Sequence, residues 1–347
     1  MPIQRILHMR KPPGFKPAVQ RWSAQFPENI AHIHVGYYGT QGPDDDAIAE
    51  SPFSTWQSAA LADAAGPQAH DFVRFVDAAG RVNRILIAYW TDVARFNAWR
   101  KAEWNTAFWE HPARLSEPTG YFREELRVVL GRHETIYFVD FAGGVARCPG
   151  VHLEKTFESG YWRAARDRIP RAAHDALESS LPGPLSMASR ATAGARFVVF
   201  PPKNLVVIRS GQYWERCGEE QLAEYTHRIR PRLEAGLEFF SQNPGETGCC
   251  VLRYMHHVDE QGYLKAESSV HGIFHSLADL ERWAENHATH KAIYAEAFRQ
   301  LMTYKERREL RTWHEVFVLE GHDQLFEYLN CHPRTGLLPY FDAARIP

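Results

Sequence analysis

The sequence predicts an α+β protein in which largely antiparallel sheets are covered by helices and the chain forms two related halves. Three observations support this. Strand-like runs alternate with helical runs, one strand–helix pattern occurs twice, and a stretch rich in Pro, Gly, Ala and Ser separates the two copies. The 347 residues suffice for two domains or for one domain built from two halves. We predict an N-terminal half at 1–181, a linker at 182–204 and a C-terminal half at 205–347, together one compact domain.

The repeated pattern is a β-rich run that leads into an amphipathic helix. Its first copy covers 84–99 and its second covers 270–283. Ala88 aligns with Gly272 and Trp99 with Trp283, at a constant offset of 184 residues. An offset of about half the chain is what a duplicated unit produces.

The remaining elements follow from hydrophobic periodicity and turn residues. Ser276 with Asp279 three residues later predicts a capping box at the start of a helix. Further strands are predicted at 32–38, 135–141, 205–210, 249–254 and 313–319, and helices at 215–240, interrupted near Pro231, and at 276–303.

Composition excludes several classes of function. The 40 Lys and Arg residues against 42 Asp and Glu residues give a formal net charge of −2, so no basic excess favours nucleic acid. No apolar run reaches about 18 residues, so we expect no membrane span. Five cysteines without a Cys-x-x-Cys pair, and a start without a signal-peptide pattern, favour a reducing cytoplasm.

Common catalytic motifs are missing from the sequence. It contains no Gly-x-Gly-x-x-Gly, no Gly-x-x-x-x-Gly-Lys, no Gly-x-Ser-x-Gly and no His-Glu-x-x-His. Nucleotide binding, an elbow-type hydrolase and a zincin are therefore disfavoured. The 18 histidines and 10 tryptophans hint instead at a site lined by rings that holds a metal, although aromatic cores are common.

One histidine is predicted to point into the core from the helix that begins at Leu277. Trp283, His287, His290 and Tyr294 recur at helical spacing, so they share the apolar face. A neutral imidazole in such a place can bind a metal or a haem iron. It can equally be a core histidine that donates to a carbonyl, and the pattern alone leaves both readings open.

Two further polar residues lie on predicted strands. His314 shares a strand face with Val316 and Val318, where it can act as an acid–base group or pair with a sheet neighbour. Ser210 is predicted at a strand end before Gly211, where its hydroxyl would be exposed. Because no base adjoins it in sequence, we expect a hydrogen-bonding role rather than a nucleophile.

Several segments resemble the aldoxime dehydratases, the haem-containing dehydratase family, over nearly the whole chain. These segments are 150–162, 166–170, 204–212, 283–290, 313–319 and, most specifically, 326–338. The resemblance implies a haem b, ferrous in the active form, and a dimeric α/β-barrel fold with two ferredoxin-like halves in a homodimer. It also implies a lyase that converts aliphatic or aryl aldoximes, R–CH=N–OH, into nitriles and water.

The resemblance also implies roles for individual residues. His290 corresponds to the proximal iron ligand, His314 to the distal acid–base residue and Ser210 to the serine that holds the substrate hydroxyl. Glu134 and an arginine of 166–168 correspond to a charged pair on the distal side, for which we favour Arg168 over Arg166.

Two other functions compete with this interpretation. A haem peroxidase of the dye-decolourising or chlorite-dismutase type is one, although the sequence has no Gly-x-x-Asp-Gly and a distal histidine fits that chemistry less well. A haem-binding protein without catalysis is the other, in which case Glu134, Arg168, Ser210 and His314 would be structural.

Overall fold

A computed structural model describes residues 5–181 and 183–346. The first part of the chain forms a strand followed by a β-α-β-β-α-β unit in which each helical connection consists of two short helices. The elements are β1 (Arg21–Gln25), β2 (His32–Gly42), α1 (Asp45–Glu50), α2 (Phe53–Ala62), β3 (Ala69–Val76), β4 (Val82–Trp90), α3 (Val93–Arg100), α4 (Glu103–Glu110) and β5 (Gly120–Val129).

The middle of the chain contributes short elements. Of the predicted strand 135–141, only the beginning joins the ladder, because the chain turns at the bridge between Phe138 and Phe141. The last of these elements lies inside the predicted linker 182–204, so that part of the linker is built into the sheet. The elements are β6 (His133–Ile136), β7 (His152–Thr156), α5 (Ala164–Arg168) and β8 (Arg196–Val199).

The last part of the chain repeats the β-α-β-β-α-β order and adds two strands. A π-helical turn at Tyr225–Ile229 precedes Pro231, which explains the predicted interruption. The elements are β9 (Val206–Tyr213), α6 (Glu219–Glu224), α7 (Arg230–Gln242), α8 (Pro244–Thr247), β10 (Cys249–Val258), β11 (Leu264–Phe274), α9 (Leu277–Asn286), α10 (Ala288–Tyr304), β12 (Arg311–Val318), β13 (Leu325–Leu329) and β14 (Ala343–Ile346).

Among the described residues, twelve strands form one antiparallel sheet in the order β14-β8-β13-β5-β2-β4-β3-β10-β11-β9-β12-β6, and β1 pairs with β7 separately. Within this sheet, the first unit has the strand order β5-β2-β4-β3 and the second has the order β12-β9-β11-β10. When the strands of each unit are counted along the chain, both orders read fourth, first, third, second. The units meet where β3 pairs with β10. The predicted duplication is therefore visible in the topology.

The α+β class with antiparallel sheets is confirmed. The strand series runs from β14 to β6, and the pairings among the described residues do not close it into a barrel. One core cluster contains inward-facing side chains of both units, among them Tyr37 and Ile87 from the first and Val207 and Phe317 from the second. Helices cover the other face of each unit. No helix within 5–181 or 183–346 combines the length and apolarity needed to cross a bilayer.

The predicted helix 276–303 is two helices, and the single-helix prediction is wrong. Ser276 Oγ accepts from the Asp279 backbone N–H at 3.1 Å, as the capping box requires. The helix ends before His287, whose backbone is extended at φ −76° and ψ 136°. His287 then caps the next helix by accepting from the Thr289 N–H through Nδ1. This break redirects α10, the helix that carries His290.

Candidate functional site

Ser210 and His314 lie directly opposite each other on neighbouring strands. They are cross-strand partners in the β9–β12 ladder, so both side chains leave the same face of the sheet. The prediction that Ser210 ends its strand is wrong, because β9 continues to Tyr213. Gly211 serves another purpose: the Trp313 ring lies against it, and any side chain there would collide with that ring.

Glu134 and Arg168 converge on His314 from two other elements. Glu134 lies on β6, which pairs with β12, and its Oε1 is 2.9 Å from His314 Nε2. Arg168, at the end of α5, donates through Nε to Glu134 Oε2 at 2.7 Å, and its Nη2 lies 3.2 Å from His314 Nε2. Arg168 also donates to the backbone carbonyl of Glu158.

The alternative arginine points elsewhere. Arg166 donates through Nε and Nη2 to the two carboxylate oxygens of Glu281, each at 2.8 Å. This ion pair joins α5 to α9. Arg168 is thus the arginine of the 166–168 segment that contacts the Glu134–His314 pair.

Burial and charge act against each other at Glu134. Its side chain is 0 % exposed, and burial alone would raise the pKa of the carboxyl group. The charges of Arg168 and His314, together with their hydrogen bonds, outweigh burial and lower the pKa of Glu134 to about 2. Glu134 is therefore an anion near neutral pH. His314, with 28 % of its side chain exposed, is the member of this cluster that a ligand can reach.

His290 lies near the start of α10, and a hydrogen bond fixes which of its two ring nitrogens carries the proton. Its Nδ1 is 2.6 Å from the Ala284 carbonyl oxygen, and because a carbonyl only accepts, Nδ1 carries the proton. Burial lowers the pKa of His290, so the ring is a neutral imidazole. The lone pair is left on Nε2, and this combination is the usual one for a metal-ligating histidine. Sequence reasoning missed the Ala284 carbonyl, because only the break between α9 and α10 aims it at the ring.

Two tryptophans flank His290. The ring centroid of Trp283 lies 4.4 Å from that of His290, and the centroid of Trp162 lies 5.8 Å away. Trp162 belongs to the loop that leads into α5, so the segment that contacts the His290 ring continues directly into the helix that carries Arg168. A cleft of about 520 Å³ opens beside them, and its lining includes Trp162, Tyr294, Arg163 and Glu285.

The sheet face around Ser210 is apolar and only half covered. Ile208, Val270, Leu252 and Tyr254 are half-buried, whereas the alternate residues of the same strands are buried. Further along this face, Val206, Val316 and Val318 pack against Leu277 and Leu280 of α9, with Trp283 at the margin. Ser210 and its half-buried neighbours therefore lie where this packing ends, and Trp283, at the same margin, contacts the ring of His290. The space over this half-buried part of the sheet face is here called the slot.

These features fit the haem that the resemblance implies. A planar apolar ring needs an apolar slot, one neutral imidazole with a fixed tautomer and polar groups reserved for the opposite side. The described residues contain no group of three or more His, Cys, Asp and Glu side chains with the spacing of a bare metal site.

The equivalent slot in the first unit, over the sheet face around Tyr38, is filled by side chains. Leu86 corresponds to Val270 by the offset of 184, and since Leu86 pairs with Tyr38 and Val270 with Ser210, Tyr38 and Ser210 occupy equivalent positions. Tyr38 is fully buried, with Trp99 at 5.1 Å and Trp56 at 5.4 Å between ring centroids. Half of the ten tryptophans thus fill this slot, whereas only two flank His290 at the predicted ring-lined site. The five in the filled slot are Trp56, Trp90, Trp99, Trp104 and Trp109.

Comparison with known proteins agrees with the interpretation of the site as a haem site. The family model described as haem-containing dehydratase matches residues 36–337. The chain is 34% identical over 339 residues to an aliphatic aldoxime dehydratase from Pseudomonas chlororaphis, covering 96% of this chain and 94% of the relative. It is 32% identical over 342 residues to a phenylacetaldoxime dehydratase from Bacillus sp. (strain OxB-1), covering 96% and 95%.

A solved structure extends the similarity to the fold. The crystal structure of an aldoxime dehydratase in complex with butyraldoxime superposes with a TM-score of 0.88 at 32% sequence identity, covering 96% of this chain and 93% of that one. The resemblance identified from the sequence is confirmed: the chain belongs to the haem-containing dehydratase family, whose matching members are aldoxime dehydratases.

Proposed function

We propose that the protein is a lyase that converts aldoximes, R–CH=N–OH, into nitriles and water on a haem b held by His290 and ferrous in the active form. The observation that carries this is the pair Ser210–His314, backed by Glu134 and Arg168 and set on a half-open apolar face next to a neutral, carbonyl-bonded imidazole. The names of the relatives, aliphatic aldoxime dehydratase and phenylacetaldoxime dehydratase, support the same substrate class.

His290 would hold a ferrous haem, which would supply electron density to the oxime nitrogen. The chain has to provide the proton chemistry, because hydroxide is a poor leaving group. The hydroxyl of Ser210 orients the oxime oxygen towards His314, its cross-strand neighbour. Protonated His314 gives its proton to that oxygen, so the N–O bond breaks and water leaves. Neutral His314 then removes the C–H proton, which leaves R–C≡N and restores the histidine.

Glu134 and Arg168 determine which nitrogen of His314 acts. Both contact Nε2, and only Nε2–H can donate to the Glu134 carboxylate. Nδ1 is therefore the nitrogen that exchanges its proton with substrate. Arg168 neutralises the charge of Glu134 and keeps its carboxylate oriented at the imidazole.

The apolar slot favours uncharged substrates. Ile208 and Val270 adjoin Ser210 on the sheet face and are half-buried. We propose alkyl and aryl aldoximes as substrates, because a charged substituent would lose its hydration there without a partner.

The fold type, the oligomeric state and the cellular location complete the proposal. We propose one domain built from the halves 1–181 and 205–347, joined through 182–204, and the β-α-β-β-α-β unit in each half supports a dimeric α/β-barrel type of fold. We propose the homodimer because the family resemblance implies it. All five cysteines are free thiols, which supports a cytoplasmic location. Light scattering of the haem-loaded protein tests the dimer.

One experiment separates this function from its rivals. Dithionite-reduced, haem-loaded protein is incubated with butyraldoxime or phenylacetaldoxime and nitrile is quantified, while the ferric form is given hydrogen peroxide and a dye. Nitrile formation without comparable dye oxidation supports the dehydratase. Dye oxidation alone would support a peroxidase. If neither reaction occurs, the protein binds haem without catalysing either reaction.

A further inference from the structure

The reverse side of the Ser210–His314 pair carries buried charges. Arg209 and Glu315 are the neighbours of Ser210 and His314 on their strands, and they face each other in the same ladder. Strand alternation sends their side chains to the opposite face, into the core shared by the two units. Both residues are 0 % exposed. The proposed chemistry uses neither of them.

A tyrosine from the first unit bridges this pair. Tyr89, on β4, donates its hydroxyl proton to Glu315 Oε1 and accepts from Arg209 Nη1 at 2.7 Å. Arg209 Nη2 also lies 2.8 Å from Asp71 Oδ2 on β3. Glu315 Oε2 accepts from the Val145 backbone N–H at 3.0 Å. These three partners come from the N-terminal part of the chain, whereas Arg209 also contacts His257 and Ser269 of its own unit.

The approach of Glu315 to this backbone is very close. Gly144, at φ +54°, lies so near the Glu315 carboxylate that any side chain there would collide with it. The positive φ and the lack of room both require glycine. The loop at 143–147 is thus shaped around this carboxylate.

Such a network is costly to bury and gains little stability. Desolvation of buried charges offsets most of their mutual attraction, so apolar replacements of similar volume are often at least as stable. What buried polar networks provide is a fixed geometry. Here the fixed geometry is the relative position of β9 and β12 at the one level of the ladder that holds Ser210 and His314.

We propose that Tyr89, Arg209 and Glu315 are positioning residues for the dehydration, locking the alignment of Ser210 with His314 from the reverse side of the sheet. This inference rests on the proposed function. It makes the N-terminal unit, whose own slot is plugged, a structural support for the site of the C-terminal unit.

The chain offers a matched control with the same three residue types. Glu124 forms a bidentate ion pair with Arg253, at 2.7 Å for both contacts, and Tyr328 donates to Glu124 Oε1 at 2.8 Å. All three residues are buried. None of them adjoins Ser210 or His314 in sequence. Loss of a hydroxyl or a charge at this second cluster therefore reports the general cost of disturbing a buried network.

The test compares Tyr89→Phe with Tyr328→Phe, and Glu315→Gln with Glu124→Gln, all haem-loaded and normalised to haem content. We expect kcat to fall about 10–100-fold in Tyr89→Phe and Glu315→Gln with KM changed less than about threefold, because a misplacement of about 1 Å is enough for such a loss. The control variants keep kcat within about twofold even if their melting temperatures fall equally. A normal kcat in both Tyr89→Phe and Glu315→Gln, or an equal loss in the controls, overturns the proposal.

A double variant shows whether the effect passes through His314. In the His314→Ala background, Tyr89→Phe should cause less than about twofold further loss of turnover, since there is no imidazole left to align. If the two losses multiply in full, Tyr89 acts on something other than His314 and the proposal fails.

A measurement without aldoxime keeps this inference distinct from the proposed function. The rate at which diethyl pyrocarbonate modifies His314 is obtained by peptide mass analysis for wild type and variants. We expect that rate to change at least threefold in Glu315→Gln and to stay constant in Glu124→Gln. If wild type forms no nitrile, the proposed function fails alone. If the His314 rate is unchanged in Glu315→Gln, the positioning inference fails alone.

Discussion

Tyr38 and Ser210 occupy equivalent positions in the two repeated units, yet one is enclosed by tryptophans and the other is half-exposed. The duplication thus places two equivalent slots on the sheet, and only the second has a partly exposed residue at its centre. Trp283, which contacts the ring of His290, lies at the margin of the second slot, whereas tryptophans fill the first. This asymmetry underlies the predictions for the cofactor and for stability.

His290→Ala should lose haem. The neutral imidazole, with Nδ1–H bonded to the Ala284 carbonyl, would ligate the haem iron through Nε2, and without it the slot would offer only apolar contacts. Haem per chain, measured by Soret absorbance after desalting, should fall severalfold. His287→Asn is the matched control, because asparagine preserves the helix cap and removes only a nearby imidazole. Full haem occupancy with an unchanged spectrum in His290→Ala would refute the assignment.

His314→Ala should retain haem and lose turnover. General acid–base assistance is typically worth about 10²–10⁴-fold, and we expect kcat for nitrile formation to fall within that range. His322→Ala, at an exposed position, serves as the control. Turnover close to that of wild type in haem-replete His314→Ala would remove this histidine from the mechanism.

Glu134 should link stability to pH in the acid range. The folded state lowers the pKa of Glu134 from 4.5 to about 2, so folding favours the ionised form. The resulting stabilisation is fully present above about pH 5 and is lost as the pH falls from 4.5 towards 2. A shift of this size corresponds to a contribution on the order of 3 kcal/mol.

The Glu134→Gln variant measures this contribution. Urea unfolding of the apoprotein at pH 5 and at pH 3 should show a larger loss of unfolding free energy on acidification in wild type than in Glu134→Gln. Equal acid sensitivity of the two proteins would mean that the Glu134–Arg168–His314 cluster does not stabilise the fold as described.

Removing a tryptophan ring from the filled slot should lower the stability of the protein without changing where haem binds. Trp99 is completely buried and contacts Tyr38, Trp56 and Trp90. Trp99→Ala should cost about 3–5 kcal/mol of unfolding free energy, because it leaves a large cavity. Haem content should still depend on His290. Haem that remains bound in the double variant Trp99→Ala/His290→Ala, at wild-type stoichiometry, would show that the first slot can hold the cofactor.

Local patterns predicted strands such as β2, β4 and β12, the duplication and the capping box, because each depends on residues close in sequence. They missed β3, β5 and β13, among others. They failed at Gly211, interpreted as a turn signal although a neighbouring tryptophan is what requires glycine there. They also failed at His287, since a histidine cap looks like one more residue of an amphipathic helix.

The site itself depends on contacts between distant segments. Glu134 and His314 are 180 residues apart, and Tyr89 and Glu315 are 226 apart. From the residues alone, each member kept a structural alternative, and only the family resemblance grouped Glu134, Arg168, Ser210 and His314. The structure brings these four towards one sheet face, while the Tyr89–Glu315 bridge had no sequence signal at all.

The visible spectrum of the purified protein with one equivalent of haemin, before and after dithionite and then with butyraldoxime, tests the central claim most directly. The account predicts a Soret band at one haem per chain and a further shift when the oxime is added to the reduced form. A preparation that stays colourless after haemin is supplied, or a reduced spectrum that butyraldoxime leaves unchanged at saturating concentration, would contradict it.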